Sequence, residues 1–298
     1  MDKDGRIIKG VGGAYTVLTN GTGDSDEGTY ICNARGVFRN RQTVPLIGDD
    51  VTISVKTGTT GVIHTIKPRK NELRRPPVAN LDQVIITMAA AQPAFNPGLL
   101  DAFLLLAEHT GIPAIICINK YDLYINAGAC PYTIYANAGY PLIYTSISTG
   151  LGLNELRNTM ASESGSIGKI SVFAGPSGVG KSSLLNYFIP SAKQVTGDLS
   201  IKSGRGKHTT RHCEIIPLGT DAKNGFLVDT PGFSKLDVSD IARAEIAPLF
   251  REFRPFLGQC RFSNCMHDLE VGCAIKAQVG AAIHPARYES YVRLINLT

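Results

Sequence analysis

The sequence predicts a multidomain α/β protein with a small N-terminal β-barrel, a mostly parallel sheet that carries helices on both faces, and a small C-terminal helical unit. Three observations predict this class. Short β-rich runs separated by Gly- and Asp-rich turns fill residues 5–70, strand and helix signals alternate after a Pro pair at 76–77, and beyond residue 237 the strand signals stop. The corresponding domain boundaries are 1–75, 76–236 and 237–298.

The composition is that of an ordinary globular protein, because 43% of the 298 residues are hydrophobic and 18% are charged. Acidic residues stand where a signal peptide would be basic, and the longest apolar stretches, around 84–91 and 113–118, are shorter than the roughly 20 residues of a membrane helix. We therefore expect a cytoplasmic protein without a membrane partner. We also expect a monomer. The net charge of +5 permits a polyanionic partner such as RNA but does not by itself indicate one.

The N-terminal barrel is predicted from strand signals at 14–19, 29–33, 50–55 and 61–66. Basic residues accompany these strands. They are Arg35, Arg39 and Arg41 between two strands, and Lys67, Arg69, Lys70, Arg74 and Arg75 at the exit from the barrel. Two interpretations stay open for them: solvated loops of no particular function, or contacts with RNA phosphates.

The α/β region begins with a strand at 83–88. A helix follows at 98–109, because Leu99, Phe103 and Leu106 have helical spacing and Gly111 can cap the helix end. Further strands are predicted at 113–118, 169–173 and 226–229, and further helices at 154–160, 181–188 and 287–297. This alternation predicts a doubly wound, mostly parallel sheet.

A phosphate-binding loop is predicted at residues 175–182, where the sequence matches G-x-x-x-x-G-K-[ST] between a predicted strand and a predicted helix. Its glycines let backbone N–H groups approach phosphate oxygens, Lys181 supplies a catalytic positive charge at the β- and γ-phosphates, and the Ser182 hydroxyl can bind Mg²⁺. The alternative is a glycine turn with a chance Lys-Ser pair. The predicted contacts are Gly175, Pro176, Ser177, Gly178, Val179, Gly180, Lys181, Ser182 and Ser183.

Two later segments supply the rest of a phosphate site. Asp229 ends a predicted strand, where its carboxylate can approach Mg²⁺, and Gly232 can offer an N–H to the γ-phosphate. The Gly- and charge-rich residues 204–211 have the composition of a switch loop, although a solvated basic loop is the alternative. Thr209 or Thr210 should supply the second hydroxyl that binds Mg²⁺. We assign this role to Thr210, beside Ser182.

Guanine recognition is predicted for Asn119, Lys120 and Asp122, because an Asp carboxylate can accept from guanine N1–H and the exocyclic amine, which adenine cannot match. A second element, residues 146–153, resembles the Ser-Ala-Lys-Thr-Gly-x-Gly-Leu stretch of translation-factor-type GTPases, and its Ser146 and Ile147 are predicted to contact the base. Ser148 stands in the Lys place of that stretch. Both elements precede the phosphate loop, so the sequence predicts a circularly permuted GTP-binding domain.

A metal centre is predicted in the C-terminal unit. Cys260, Cys265, His267 and Cys273 are four soft ligands within a short span, and this set suits a closed, structural, tetrahedral Zn²⁺ site. The spacing is not that of paired Cys-x-x-Cys motifs, so buried cysteines without metal are the alternative. The four other cysteines are interpreted as structural; they are Cys32, Cys117, Cys130 and Cys213.

The permuted motif order, the switch segment at 204–211, the run Asp-Thr-Pro-Gly-Phe at 229–233 and the Cys-Cys-His-Cys spacing together resemble the ribosome-small-subunit-dependent GTPases known as RsgA or YjeQ. The resemblance covers nearly the whole chain. It implies an N-terminal OB-fold that binds rRNA, a permuted GTPase domain and a C-terminal zinc domain. It also implies that the small ribosomal subunit stimulates GTP hydrolysis during its late maturation.

The group that orients the attacking water is expected to be unusual. Many GTPases use a Gln directly after the Asp-x-x-Gly glycine, but that place is Phe233 here, and a phenyl ring cannot hold water. His208 is the best substitute, as the resemblance also suggests, and a solvent-facing loop histidine is the alternative. Two rival functions stay open: a GTP-dependent switch of another pathway, and an RNA-binding module with a vestigial nucleotide site.

Overall fold

The computed structural model describes residues 2–19, 28–34, 44–73, 77–124, 131–162, 168–190, 213–219, 224–229 and 241–297. The strands are β1 (Asp2–Val11), β2 (Ala14–Thr19), β3 (Gly28–Ala34), β4 (Asp50–Val55), β5 (Thr60–Ile66), β6 (Glu72–Leu73), β7 (Val78–Ala79), β8 (Gln83–Ala89), β9 (Ala114–Asn119), β10 (Leu142–Tyr144), β11 (Ile170–Ala174), β12 (Glu214–Pro217) and β13 (Phe226–Asp229). The α-helices are α1 (Pro97–Thr110), α2 (Thr133–Asn137), α3 (Leu153–Met160), α4 (Lys181–Phe188), α5 (Ala274–Ala277) and α6 (Pro285–Ile295). Short 3₁₀ helices cover Tyr121–Leu123, Arg243–Glu245, Ala247–Leu249 and Arg251–Phe256.

The chain divides into two compact units. The first contains Met1–Gln83, Asn154–Phe173 and Ser182–Phe233, and the second contains Val84–Leu153, Ala174–Lys181 and Ser234–Thr298. The C-terminal residues therefore share a unit with β8, β9 and α1. The division into three domains at residues 75 and 236 stays a prediction.

The first unit contains the predicted barrel. Strands β1 to β5 pair in the order β1-β2-β3-β5-β4, and β4 pairs back onto β1, which closes the sheet. All pairs are antiparallel except β3 with β5, and this is the connectivity of an OB-fold. The inward side chains are fully buried; they are Ile7, Val17, Cys32, Val51, Ile53 and Ile63. The predicted barrel class is confirmed.

Strand β1 is absent from the strand signals of the sequence, and its composition explains why. Its outward positions carry charged residues that are neutralised by residues in or directly after neighbouring strands. Arg6 lies 2.9 Å from the Asp50 carboxylate in β4, and Asp4 accepts from Lys67 at 2.7 Å. Beyond the barrel, β1 pairs with β12 at Lys9 and Glu214, β12 is antiparallel to β13, and β13 is parallel to β11.

The second unit is built on three parallel strands, in the order β10-β9-β8. Every residue of β8 and β9 is buried, as expected for parallel strands covered on both faces. Helix α1 connects them. Asn96 caps its start by accepting from the Leu99 N–H, and Gly111 ends it in the left-handed conformation at φ 67°, which confirms the predicted cap.

The C-terminal residues of the second unit pack on α1 through a buried ion cluster. Arg287 of α6 pairs with Asp101 of α1 and, at 2.6 Å, with Glu252, and all three side chains are nearly inaccessible to solvent. The guanidinium lies 4.6 Å from the ring centroid of Phe250. Each of the three buried charges therefore has a partner of opposite sign, and removal of one partner would leave the others uncompensated.

No helix within the described ranges is both long enough and apolar enough to cross a bilayer.

Candidate nucleotide site and metal centre

The predicted phosphate loop lies where the sequence places it, after β11 and before α4. Gly175 and Gly180 have φ values of 134° and 98°, which L-residues rarely adopt. A Cβ atom at Gly175 would lie 2.1 Å from the carbonyl oxygen of Thr87 in β8, and one at Gly180 would lie 2.3 Å from the Asn119 side chain. Glycine is therefore required at both positions by conformation and by space.

The Lys181 ammonium is held over the loop that precedes it. Its Nζ donates to the carbonyl oxygen of Gly175 at 2.8 Å and to that of Pro176 at 2.6 Å. The side chain is half-buried, and this burial lowers the pKa of the ammonium from its ordinary value. Phosphate oxygens would be stronger acceptors than these carbonyls, because they carry full charge. The cation therefore already lies beside the loop that should hold the phosphates.

Asn119 joins the predicted guanine motif to the phosphate loop. The side chain is 2% exposed, and its Nδ2 donates to the Val179 carbonyl oxygen at 2.9 Å. This bond directs Oδ1 toward Thr145, whose hydroxyl donates to it at 3.1 Å. Because that hydroxyl has a single proton, the Cys117 thiol, 3.2 Å away, must be the donor to Thr145. The two predicted motifs are thus linked by a buried chain of hydrogen bonds.

Lys120 makes a second connection between the same two motifs. It occupies the left-handed region at φ 57°, and its Nζ donates to the Gly178 carbonyl oxygen at 2.8 Å and to that of Gln92 at 2.5 Å. Its side chain consequently lies across the phosphate loop. Neither Thr145 nor Gln92 was singled out from the sequence. Thr145 directly precedes Ser146, and this adjacency to a predicted base contact is the signal that could have identified it.

Asp122 lies in the 3₁₀ turn that follows Lys120, and it is exposed. Ser148 donates to its Oδ2 at 2.9 Å, and Ser146 lies 2.9 Å from the Ser148 hydroxyl. Hydrogen bonding by Ser146 and Ser148 holds the pKa of the Asp122 carboxyl below its ordinary value, so the group is an ionised acceptor at neutral pH. Ile147, predicted to contact the base, is 36% exposed in the same loop.

The predicted Mg²⁺ ligands are described in part. Ser182 and Ser183 lie exposed in the first turn of α4. Asp229 ends β13, and because β13 is parallel to β11, its carboxylate lies at the sheet edge where β11 also ends. Burial, with the nearby Glu214 charge, raises the pKa of Asp229. Four predicted site residues lie outside the described ranges; they are His208, Thr209, Thr210 and Gly232.

The basic residues at the exit from the barrel are paired with acids. Lys67 binds Asp4, Arg69 lies 2.7 Å from the buried Asp49, and Lys70 pairs with Asp82. Their charge is therefore partly neutralised within the fold, and their contact with RNA stays a prediction. The other basic residues of this prediction lie outside the described ranges; they are Arg35, Arg39, Arg41, Arg74 and Arg75.

The four predicted zinc ligands come together in the C-terminal part of the chain. The ligand atoms of Cys260, Cys265, His267 and Cys273 all lie within 4.8 Å of one another. The two Sγ atoms of Cys260 and Cys273 are 3.9 Å apart, and they lie 3.4 and 3.5 Å from His267 Nδ1. Tetrahedral zinc with ordinary bond lengths requires about 3.8 Å between sulfurs and about 3.6 Å between sulfur and nitrogen. The donor set therefore fits one zinc ion.

Surrounding groups orient these ligands. Cys260 Sγ accepts from the Ala274 N–H at 3.3 Å, and Cys273 Sγ accepts from the Lys276 N–H at 3.4 Å. Burial lowers the pKa of His267, which favours the neutral imidazole that a metal requires. The other described cysteines, Cys32, Cys117 and Cys213, are buried and free. Cys130 lies outside the described ranges.

Comparison with known proteins agrees with this arrangement. Residues 4–63 match the family model described as RsgA N-terminal domain, and residues 66–239 match the one described as RsgA GTPase. A small ribosomal subunit biogenesis GTPase RsgA of Alkaliphilus metalliredigens is 43% identical over 295 residues, which cover 98% of this chain and 96% of that protein. The protein of the same name from Bacillus cereus is 41% identical over 297 residues, with the same coverage.

Solved structures are similar over the whole chain. YloQ, described as a circularly permuted GTPase, superposes with a TM-score of 0.82 at 34% identity and covers 100% of this chain and 95% of its own. YjeQ from Thermotoga maritima also has a TM-score of 0.82, at 32% identity, over 100% of this chain and 98% of its own. With a phosphate loop joined to an upstream Asn-Lys-x-Asp motif and these matches along its length, the chain belongs to the RsgA GTPase family, whose members hydrolyse GTP.

Proposed function

We propose that this chain binds the small ribosomal subunit through its rRNA and hydrolyses GTP during late maturation of that subunit, which stimulates the hydrolysis. The relatives that match 98% of the chain carry the name small ribosomal subunit biogenesis GTPase. The OB-type barrel supports an RNA-binding role, since this fold binds oligonucleotides through its strands and loops. The chain acts as a cytoplasmic monomer in this proposal.

The observation that carries the nucleotide assignment is the hydrogen bond from Asn119 to the Val179 carbonyl oxygen. It joins a guanine motif to a phosphate loop that lies 60 residues further along the chain. The base is then held by Asp122, with Ser146 and Ile147 beside it. The phosphates bind the loop N–H groups and Lys181. ATP is excluded, because adenine cannot donate two hydrogen bonds to the Asp122 carboxylate.

Hydrolysis requires positioning and charge stabilisation more than covalent chemistry. Lys181 neutralises charge that develops on the phosphates, while Ser182 and Thr210, or Thr209 in its place, hold the metal with Asp229 nearby. When bound, Mg²⁺ would supply further neutralisation of the phosphate charge. The Gly232 N–H binds the γ-phosphate, and His208 orients the attacking water because Phe233 cannot.

The zinc site is proposed to be structural. Three thiolates and one imidazole complete a tetrahedral set from Cys260, Cys265, His267 and Cys273, so that no position is left for substrate. The ligands are supported by N–H donors of the following helix and by the C-terminal helix, where Tyr288 donates to the His267 carbonyl oxygen at 2.8 Å. The ion would therefore stabilise the C-terminal part of the fold rather than act in hydrolysis.

The test is GTP turnover with and without purified small subunits. We expect slow basal hydrolysis and strong stimulation by small subunits but not by large ones. We also expect the protein to co-sediment with small subunits in the presence of a non-hydrolysable GTP analogue. Equal turnover with and without small subunits, together with no co-sedimentation, would refute the partner while leaving GTP hydrolysis intact. Unchanged stimulated turnover in His208→Ala, with normal GTP affinity, would refute the role of that histidine.

A further inference from the structure

Two serines form a short hydrogen-bonded chain that ends on the Asp122 carboxylate. Ser146 Oγ lies 2.9 Å from Ser148 Oγ, and Ser148 Oγ lies 2.9 Å from Asp122 Oδ2. At its other end the chain begins at the Thr149 N–H, which donates to Ser146 Oγ at 3.3 Å. Ser146 is fully buried, whereas Ser148 and Asp122 are exposed at the rim of the site.

The proton count gives this chain a direction. An ionised carboxylate can only accept, so Ser148 must donate its single hydroxyl proton to Asp122. The Ser148 oxygen is then free to accept from Ser146, whose hydroxyl also interacts with the Asp122 carboxylate. Ser146 in turn accepts from the Thr149 N–H. Every donor points toward the carboxylate, so the buried loop backbone is connected to the exposed Asp122 oxygen through Ser148.

Guanine recognition depends on the torsion about the Cβ–Cγ bond of Asp122, and the hydrogen bond from Ser148 restrains that torsion. The terminal torsion of an aspartate is broad, so an exposed carboxylate can rotate about its Cβ–Cγ bond at little cost. Guanine presents two parallel donors, N1–H and the exocyclic amine, and both carboxylate oxygens must lie in the plane of the base to accept them. A bond from Ser148 to one oxygen holds the carboxylate near one orientation before the base arrives.

We propose that Ser148 is a positioning residue for guanine specificity, which orients the Asp122 carboxylate to accept both guanine donors at once. Ser148 occupies the place of the lysine in the Ser-Ala-Lys-Thr-Gly-x-Gly-Leu stretch, so this protein has a hydroxyl where that motif has an ammonium. The inference rests on the proposed guanine site. It adds a residue whose side chain need not touch the nucleotide.

The test compares GDP with IDP, whose hypoxanthine base lacks the exocyclic amine and donates only N1–H. Affinities are measured on the full-length protein by displacement of a fluorescent guanine nucleotide. Ser148→Ala should weaken GDP binding about three- to tenfold, as expected for the loss of one exposed hydrogen bond to a charged group. IDP binding should weaken less than twofold, because a single donor tolerates a rotated carboxylate, and the preference for GDP over IDP should shrink accordingly.

Two further variants separate positioning from folding. Ser148→Thr keeps the hydroxyl and should restore both the GDP affinity and the preference for GDP over IDP. Thr149→Ala removes a neighbouring hydroxyl of the same loop that contacts the Leu151 N–H and not Asp122, and it should keep the wild-type preference. Equal losses of GDP and IDP affinity in Ser148→Ala, or no loss at all, would overturn the proposal. If the wild-type protein itself did not prefer GDP over ADP, the guanine site would be wrong, independently of Ser148.

Discussion

Replacing Asn119 by alanine tests the connection between the guanine motif and the phosphate loop. The variant removes a buried amide that donates to the Val179 carbonyl oxygen and accepts from the Thr145 hydroxyl. The Val179 carbonyl oxygen and the Thr145 hydroxyl, which belong to buried residues, each lose their hydrogen bond to Asn119. The amide joins the phosphate loop to the end of β9. Without it, the phosphate loop should leave its binding conformation more often, and nucleotide binding must then restore that conformation.

The expected loss of GDP affinity follows from the two polar groups that lose their hydrogen-bond partner. A buried polar group that loses its partner costs about 1–3 kcal/mol, so the pair costs about 2–4 kcal/mol after Thr145 redirects its proton. At 1.4 kcal/mol per tenfold, this corresponds to a loss of GDP affinity of about 30- to 700-fold if the full cost opposes binding. Thr145→Val removes the shared bond and the weak bond from the Cys117 thiol, and it should cost about 1–2 kcal/mol, or about 5- to 30-fold.

The assay is GDP affinity of the two single variants and the double variant, with folding checked by circular dichroism. Since Asn119 and Thr145 share one bond, the double variant should lose about 1 kcal/mol less than the sum of the single losses. The control is Thr110→Val, which removes a hydroxyl bonded to helix carbonyls at the end of α1 and should leave GDP affinity within about twofold. Additive losses, or an Asn119→Ala variant that binds GDP within about threefold of wild type, would refute the reasoning.

Three further predictions concern the phosphate loop, the ion cluster and the metal centre. Lys181→Ala should weaken GDP binding at least about tenfold and abolish hydrolysis while guanosine affinity stays unchanged, because only the phosphates need this cation; an equal loss for guanosine would contradict it. Arg287→Met leaves two buried carboxylates unpaired and should lower the free energy of unfolding, measured by denaturant titration, by about 3–5 kcal/mol. The control Arg254→Met, in a half-exposed pair, should lower it by less than about 1 kcal/mol, and equal losses in the two variants would contradict the prediction. Elemental analysis should find one zinc per chain, with chelation or Cys265→Ser lowering the melting temperature; a zinc-free protein that melts at the same temperature would rule the site out.

The elements that the sequence predicts well are those with strong local patterns. The limits of β2, β4, α4 and β13 agree with the predicted ranges, because alternating or helical hydrophobic positions end at clear Gly, Pro or Asp signals. Strand β1 was missed because its outward charges are balanced by partners on other strands. Such pairing depends on tertiary structure, which a local pattern does not contain.

In the candidate site, too, residues with a local sequence signature could be predicted, whereas contacts between distant segments could not. Motif spacing identifies the phosphate loop, the Asn-Lys-x-Asp element and the four zinc ligands, since each is a local signature of one chemistry. Contacts such as Asn119 with Val179, or Ser148 with Asp122, join segments far apart in sequence and become visible only in the folded chain. The basic residues at the barrel exit make the same point: neither predicted interpretation anticipated that Lys67 and Lys70 would pair with acids of the fold.

The central claim is that guanine nucleotides are recognised by Asp122, which lies upstream of the phosphate loop. Asp122→Asn tests it directly, because the amide offers one acceptor and one donor where guanine needs two acceptors. Xanthine presents one donor and one carbonyl acceptor at the same positions and matches the amide. We expect GDP affinity to fall at least about a hundredfold and the variant to prefer XDP over GDP, because a site that hydrogen-bonds a substrate group discriminates strongly against an analogue that cannot form those bonds. An Asp122→Asn variant that still preferred GDP over XDP would contradict the account.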